Sequence, residues 1–564
     1  MTSLSLNLTH DASLTLMRDG EIVLHSVEER LSRKKYAMDL YHAIDDLKNY
    51  VEPNEITDVT YAGIWNAYND HRIVARYLKY KGYIEDAGAD LNDGGKLHHL
   101  FHALCGYWSS PFDKPAILVI DGAGSDLTWT AKENETIFDV RDDYKPTVVH
   151  KTVVGFRDME HPYCTFKPRI GIGMVYNAIT EYLGFGGQNE GKTMGLSSYA
   201  KNTANYHQFA NARDGGNEEC FHLISSEKLG IKGADTVVGS KFEIKKSFKI
   251  PPRVDIIHDD TNKVGTPTFN FRANVAGKVQ KDLEEYIYEM VLKTIELTGK
   301  KDIVLTGGCF MNCVCNYKLV KRLPEDVNLY VDPLCTDVGI SVGGSMFNEY
   351  AKERIPKKYD PTYLGAQLKY DYDLKDGQFE EDTTPQKVAS LLASGNIVAI
   401  AQGKSESGKR ALGNRSILFD PTVKDGKEIV NRVKKREDWR PFAGTVMLEY
   451  AKDWFDMDKL QESPHMTYAI DVHEDKRDLI PSINHVNNTC RIQTVTQKQN
   501  ENYYNLISEF HKLTGTPIVL NTSFNLAGDP IVESIEDALD TLERSEIEYL
   551  YLPEIMKLIY IPNK

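Results

Sequence analysis

Two short apolar runs, Ala116-Ile117-Leu118-Val119-Ile120 and Ile303-Val304-Leu305-Thr306, each stop at a glycine-rich turn. The first ends in Asp121-Gly122-Ala123-Gly124; the second ends in Gly307-Gly308 and leads into a helical stretch from Phe310 to Leu323. Apolar strands that end in such turns and alternate with helices point to an α/β architecture with ligands at the strand ends. The first residues repeat the logic. Leu4, Leu6 and Leu8 share one face, as do Leu14 and Leu16, and Ile22 to Leu24 form a third run. Arg18-Asp19-Gly20-Glu21 reads as a hairpin turn, with Gly20 able to take a positive φ. A helix is expected over Val27 to Lys35, and His10-Asp11-Ala12-Ser13 falls in the first turn. Small residues there suit a phosphate-binding hairpin, because backbone N–H groups must come close to the ligand.

At 564 residues the chain is too long for one core. A polar stretch from Lys201 to Lys263 is expected to be an insertion or peripheral subdomain, and Arg354 to Tyr363, with two prolines among charges, marks a domain boundary. Beyond it, a helix near Pro385 to Ala393 should lead into a strand from Ile397 to Ala401 and a second α/β unit. A formal charge of −15 argues against nonspecific nucleic-acid binding, which needs a surplus of Lys and Arg. No run of eighteen apolar residues exists, and the N-terminus has no signal-peptide pattern, so no membrane partner and a cytoplasmic location are expected. The eight cysteines lack zinc-finger spacing and read as reduced, buried thiols. Nothing in the surface composition selects a monomer over a homodimer.

Several constellations carry chemistry. His98 and His102 are four apart, so on a helix both imidazoles leave one face, as metal ligands or as an ordinary histidine pair. Asp121 and Asp337 bring carboxylates, and two imidazoles with two carboxylates suit iron, manganese or zinc. Gly307, Gly308 and Asn312 form a weak phosphate signal. Gly186 to Leu196 reads as a loop in which four glycines surround Lys192, able to wrap a nucleotide or to be plain surface. In the C-terminal part, Lys404, Arg410, Arg415, Lys434, Arg436, Arg440 and Arg491 are interspersed with glycines, and Asn521-Thr522-Ser523-Phe524-Asn525 adds small polar groups. Guanidinium groups take phosphate oxygens in a bidentate fork, so this reads as an anion site.

These residues in this order resemble the NodU/CmcH-type O-carbamoyltransferases. The resemblance runs through His10-Asp11, Glu28-Glu29-Arg30, His98-His99-x-x-His102, Asp121-Gly122, Glu190-Gly191-Lys192 and Gly307-Gly308-x-x-x-Asn312. It continues at Asp337-x-Gly339, Arg410 to Ser416, Lys434-x-Arg436 to Phe442, and Asn521 to Asn525. It implies an actin-like ATPase (ASKHA) domain, similar to the tRNA threonylcarbamoyltransferases, over 1–355, a linker over 356–375 and a YrdC-like α/β domain over 376–564. It implies that the C-terminal domain makes carbamoyl-adenylate from carbamoyl phosphate and ATP, with magnesium, and that the carbamoyl group then passes to a hydroxyl of a small acceptor. Such acceptors are a sugar, an antibiotic-like metabolite or a hydroxymethyl nucleoside or nucleotide. By the same resemblance the metal ligands are His98, His102, Asp121 and Asp337, for Fe2+ or alternatively Mn2+ or Zn2+, and His10 is the catalytic base. Gly122, Gly124, Lys192, Gly307, Gly308 and Asn312 are assigned to nucleotide. Lys404, Arg410, Arg415, Lys434, Arg440, Arg491, Asn521 and Ser523 are assigned to carbamoyl phosphate or ATP. The chain departs from the family pattern at Lys404, where an arginine is usual, at Ser407, where an aromatic is usual, and at Lys409 and Gly444, where proline is usual. Activity is expected to survive with altered affinity. The alternatives are threonylcarbamoyl-type transfer to tRNA and a nucleotide-binding protein without turnover.

Overall fold

A computed structural model of the chain describes residues 1–63, 71–85, 91–128, 131–155, 160–161, 164–167, 170–204, 206, 208–212, 215–216, 221–223, 242–244 and 262–562. It divides into two compact units, one formed by Met1–Tyr61, Tyr68–Asn92 and Asp337–Lys564, the other by Ala62–Ala67 and Asp93–Thr336. The architecture is mixed α/β in both.

In the first unit a five-stranded sheet runs in the order Glu21–Val27, Ser13–Arg18, Thr2–Asn7, Ile56–Tyr61, Leu91–Asp93. The hairpin turn expected at Arg18 to Glu21 is present, with Asp19 at φ 51° and Gly20 at φ 80°, the paired positive φ of a type I′ turn. The helix that follows is Glu28–Ser32, shorter than expected. Leu4, Leu6, Leu14, Leu16 and Leu24 form the core of this sheet, and the helix Ile340–Ala351 packs on it. The contact between helix and sheet is partly polar: Ser341 Oγ lies 3.0 Å from Ser13 Oγ and 2.9 Å from Thr15 Oγ1.

The same unit holds a nine-stranded mixed sheet between Phe379 and Tyr560. The helix Pro385–Ala393 and the strand Val398–Ala401 fall where the sequence places them. Pro385 sits in the first turn, and Thr384 caps it by accepting from Lys387 N, the usual N-terminal arrangement. That helix packs with Glu501–Thr514 over a core of Val388, Leu392, Ile400, Leu506 and Phe510. Pairing brings chemistry to one end of the sheet. Ala443 stands opposite both Arg491 and Asn521, and Ser416 stands opposite Ser523.

The second unit is built on an eight-stranded sheet. The strand Ala116–Ile120 is buried at every position and pairs in parallel with Asp302–Thr306, the continuous apolar pattern of a strand covered on both faces. Pro267–Thr298, a 32-residue helix, packs against Ala116–Ile120 and closes at Gly299, which takes φ 69°. The helical stretch after Gly308 begins as a 3-10 turn, Gly308–Met311, and becomes the helix Cys313–Arg322 with Asn312 as its cap. Most of the stretch from Lys201 to Lys263 lies outside the described residues. Among the described residues no helix is long and apolar enough to cross a membrane.

Candidate active site

The second unit assembles a histidine–carboxylate cluster. His98 and His102 lie on the helix His98–Ser109 with both side chains fully buried. Their Nε2 atoms are 3.2 Å apart. Asp121, just past the strand Ala116–Ile120, brings its Oδ2 to 3.1 Å from His98 Nε2 and 3.7 Å from His102 Nε2. Its other oxygen is fixed: Oδ1 accepts from Gly122 N at 2.8 Å and from Gly308 N at 3.2 Å. The glycines are needed there for close approach. A Cβ on Gly308 would lie 2.8 Å from Asp121 Oδ1, and one on Gly307, whose φ is 96°, would lie 2.3 Å from Ile120 O. Burial alone would raise the Asp121 carboxyl, but hydrogen bonds and charge from His102 and His98 hold it well below the usual carboxylate range.

The donor set fits a divalent metal. Ligand atoms about 2.0–2.2 Å from one ion at tetrahedral or octahedral angles stand roughly 3.0–3.6 Å from each other, close to the separations here. Two buried ring nitrogens and a carboxylate oxygen converging this closely also repel one another unless a cation or proton lies among them. His99, the neighbour between them in sequence, points elsewhere. Its Nδ1 lies 2.8 Å from Thr136 Oγ1, and burial lowers its imidazole to about 4, leaving it neutral. Asp332, absent from the sequence reading, is fully buried against this helix. It accepts from Thr306 Oγ1 at 2.8 Å and Leu334 N at 2.9 Å, and burial pushes it up to about 6.

The residues expected on nucleotide in this unit separate. Asn312 accepts from Cys315 N as a helix cap and exchanges amide bonds with Gln280 at 2.8 and 3.0 Å, so its groups are engaged in the fold. Lys192 lies on the helix Glu190–Ser197 rather than in a loop, because only Gly186 to Asn189 form the turn before it; its Nζ sits 5.7 Å from the Phe185 ring centroid. A Cβ on Gly124 would come within 2.6 Å of His99 Nε2, so that glycine makes room for a histidine.

In the first unit, His10 stands in the turn between Thr2–Asn7 and Ser13–Arg18. Asn7 holds the turn, its Nδ2 donating to Asp11 O and to Asp337 O, each at 2.8 Å. His10 Nδ1 is 3.4 Å from Asp11 Oδ1, and its side chain is 44% exposed.

At one end of the nine-stranded sheet, Lys434, Arg436, Arg440 and Arg491 converge. Burial and the charges of Arg440 and Arg491 push Arg436 well down; burial and Arg436 and Arg440 do the same to Lys434. Arg440, lowered first by burial and further by Arg491, faces Glu437 as its carboxylate partner at 3.7 Å. Arg491 Nε is buried without a hydrogen-bond partner. Lys434 Nζ donates to Asn525 O at 2.9 Å and Asn525 Oδ1 at 3.1 Å, and Ser523 Oγ donates to Asn525 Oδ1 at 2.6 Å.

Two of the expected phosphate ligands have other work. Arg415 is fully buried, and its guanidinium donates to Gln402 O at 2.6 Å, Asn414 O at 2.9 Å and Glu533 O at 3.1 Å. Three of its donors are thus engaged by carbonyls of the fold. Asn521, also fully buried, donates to Thr445 Oγ1 at 3.0 Å and Gln493 Oε1 at 3.1 Å, tying three strands together. Lys404 is exposed and Arg410 half-buried. Glu406 shapes the loop that carries them: its Oε1 accepts from Leu412 N, Asn414 N and Arg415 N at 2.7, 2.8 and 3.0 Å.

Comparison with known proteins decides the family. The Carbamoyltransferase N-terminus family matches residues 92–346 and the Carbamoyltransferase C-terminus family matches 389–557. Nodulation protein NolNO of Sinorhizobium fredii is 30% identical over 96% of this chain and 78% of its own length. The chain belongs to the NodU/CmcH family of carbamoyltransferases. Within this family of enzymes, 3'-hydroxymethylcephem-O-carbamoyltransferase of Streptomyces clavuligerus is 31% identical over 45% of this chain and 48% of its own length. Nodulation protein U of Rhizobium tropici is 30% identical over 42% of the chain and 41% of its own. Among solved structures, that of T. kodakarensis HypF aligns with a TM-score of 0.35 and 12% identity, over 64% of this chain and 48% of that one, too distant a likeness to carry an argument.

Proposed function

We propose that the chain is an ATP-dependent O-carbamoyltransferase that forms carbamoyl-adenylate at the cation cluster of the nine-stranded sheet and transfers the carbamoyl group to a hydroxyl of a small acceptor. The observation that carries this reading is the convergence of Lys434, Arg436, Arg440 and Arg491 at one end of the sheet, where Arg491 Nε is buried without a hydrogen-bond partner and Glu437 stands 3.7 Å from Arg440. Such a cluster is costly without an anion, and guanidinium forks suit phosphate. Carbamoyl phosphate, ATP with magnesium, and the acceptor are the small-molecule partners. The formation step balances with one water: carbamoyl phosphate, ATP and water give carbamoyl-adenylate, phosphate and pyrophosphate.

The family resemblance supports an actin-like ATPase fold for the N-terminal part and a YrdC-like fold for 376–564. In the transfer step His10 takes the proton of the acceptor hydroxyl, whose oxygen attacks the carbamoyl carbon as the bond to AMP breaks. His98, His102 and Asp121 would hold a divalent metal, iron by resemblance; Asp337, added as the fourth ligand by the sequence, belongs to the first unit. When bound, that ion supplies positive charge that stabilises a phosphate leaving group. Arg436, Arg440 and Arg491 bind and orient carbamoyl phosphate and ATP, beside Lys434 and Ser523, whose donors hold Asn525, and Gly122, Gly307 and Gly308 keep the backbone near Asp121 bare of side chains.

The test is pyrophosphate release from ATP. It should require carbamoyl phosphate and no acceptor; release that ignores carbamoyl phosphate, or none at all, would count against the reading.

A further inference from the structure

The proposed function leaves Glu28-Glu29-Arg30 without a role, and Arg30 is the member that reaches the nine-stranded sheet. It stands on the short helix Glu28–Ser32 and is 4% exposed. Its Nη1 donates to Glu406 O at 2.5 Å and its Nη2 to Gly408 O at 2.8 Å. Nη1 also lies 3.7 Å from Glu533 Oε2, and the other oxygen of that carboxylate accepts from Ser405 Oγ at 2.6 Å. One guanidinium thus serves two carbonyls and a carboxylate, each within or bonded to the loop that joins the strands Val398–Ala401 and Arg415–Phe419.

The loop is fixed on its far side as well. Glu406 Oε1 gathers the amides of Leu412, Asn414 and Arg415, Gln493 Nε2 donates to Leu412 O at 2.8 Å, and Asn521 Nδ2 donates to Ala411 O at 3.3 Å. Asn521 stands opposite Ala443, which stands opposite Arg491, so Ala411 is held at the end of the sheet where the cations converge. Lys409 adds a tie to the first sheet, its ammonium pairing with Asp11. Arg410, half-buried, lies between the two sets of anchors. Backbone held on both sides presents a side chain in one place, which a phosphate ligand on an irregular loop requires.

We propose that Arg30 is a positioning residue for the anion site: it fixes the 406–408 backbone and so sets where Arg410 meets the phosphate oxygens of carbamoyl phosphate or ATP. A helix of the five-stranded sheet thereby completes a site built on the nine-stranded one. The inference rests on the reading of that cation cluster as the site of the substrate phosphates. Replacing Arg30 by methionine removes the donor of two carbonyls and the cation beside Glu533, which frees the loop just ahead of Arg410.

The test uses the full chain and has two readouts. Without substrate, hydrogen–deuterium exchange over 403–415 should become severalfold faster in Arg30→Met, at the amides that Glu406 gathers, while the helix Pro267–Thr298 of the second unit keeps its wild-type protection. By calorimetry, carbamoyl phosphate and ATP with magnesium are titrated separately into wild type, Arg30→Met, Arg410→Met and the double variant. The substrate whose Kd rises in Arg410→Met should show a rise of about tenfold in Arg30→Met, the worth of one charge-assisted hydrogen bond. In the Arg410→Met background Arg30→Met should add little, because the two act through one contact. Arg30→Lys, which can serve one of the carbonyls, should recover part of the affinity. An unchanged Kd in Arg30→Met, losses that simply add in the double variant, or Kd values that ignore Arg410→Met for both substrates would overturn the proposal. If Arg30→Met does not fold, Arg30→Lys is read in its place, with a smaller rise expected and no rise overturning the proposal. A wild-type chain that binds neither carbamoyl phosphate nor ATP would refute the proposed function, and faster exchange confined to 403–415 would then keep the tie between Arg30 and the loop.

Discussion

Replacing Arg415 with methionine separates a structural arginine from a phosphate ligand. The side chain is fully buried and gives three hydrogen bonds of 3.1 Å or shorter to the carbonyls of Gln402, Asn414 and Glu533. Methionine keeps much of the volume but leaves these carbonyls without their donor, each costing about 1–3 kcal/mol if water cannot replace it. Glu406, 1% exposed, also loses the positive charge beside it. Against this stands the returned cost of burying a guanidinium, so the net loss expected for a broken buried network is about 3–5 kcal/mol. At roughly 1.5 °C per kcal/mol for a unit of this size, the transition of the first unit should fall by about 4–8 °C. Differential scanning calorimetry reads this directly, and Arg415→Lys, which keeps the charge but serves fewer carbonyls, should fall between. An unchanged melting temperature with a raised KM for carbamoyl phosphate would refute the reasoning and return Arg415 to the phosphate.

Arg491→Met removes a cation whose Nε is buried without a partner. It should raise KM for carbamoyl phosphate or ATP about 10- to 100-fold, the worth of a charge-assisted hydrogen bond, with little change in melting temperature; equal KM values would exclude it from the site. Gly308→Ala places a Cβ 2.8 Å from Asp121 Oδ1, so the purified protein should carry less divalent metal by elemental analysis while staying folded; full occupancy would dissociate that carboxylate from the ion. Asp332, raised to about 6 by burial, releases its proton later in the folded chain than in the unfolded one, where it titrates near about 3.9. Folded stability therefore falls as pH rises from about 4 to about 6, by on the order of 2–3 kcal/mol. The difference between wild type and Asp332→Asn in melting temperature should change across that window and be level above it; parallel curves throughout would contradict the burial argument.

The strands were legible because local rules and tertiary context agree there. Ala116–Ile120 is apolar at every position and buried at every position, and the Asp19-Gly20 turn needs positive φ that its residues tolerate. The i,i+4 spacing of His98 and His102 likewise requires only a helix to bring both rings to one face. What the sequence hid is set by long-range packing. Nothing local to Arg415 distinguishes it from Arg440, and only the folded positions of Gln402, Asn414 and Glu533 show its guanidinium engaged by backbone carbonyls. Lys192 misled because glycine density reads as loop, whereas the segment from Glu190 packs as a helix against Pro267–Thr298. Lys409 registered only as a lost proline, since its partner Asp11 lies 398 residues away in the chain. Asp332 carries no motif at all.

The most direct test of the account is mass spectrometry of a reaction holding the purified chain, carbamoyl phosphate, ATP and magnesium, with no acceptor. The account predicts a carbamoyl-adenylate peak accompanied by pyrophosphate, reduced in Arg491→Met. Bound ATP that stays intact, with no carbamoyl-adenylate at any carbamoyl phosphate concentration, would contradict it.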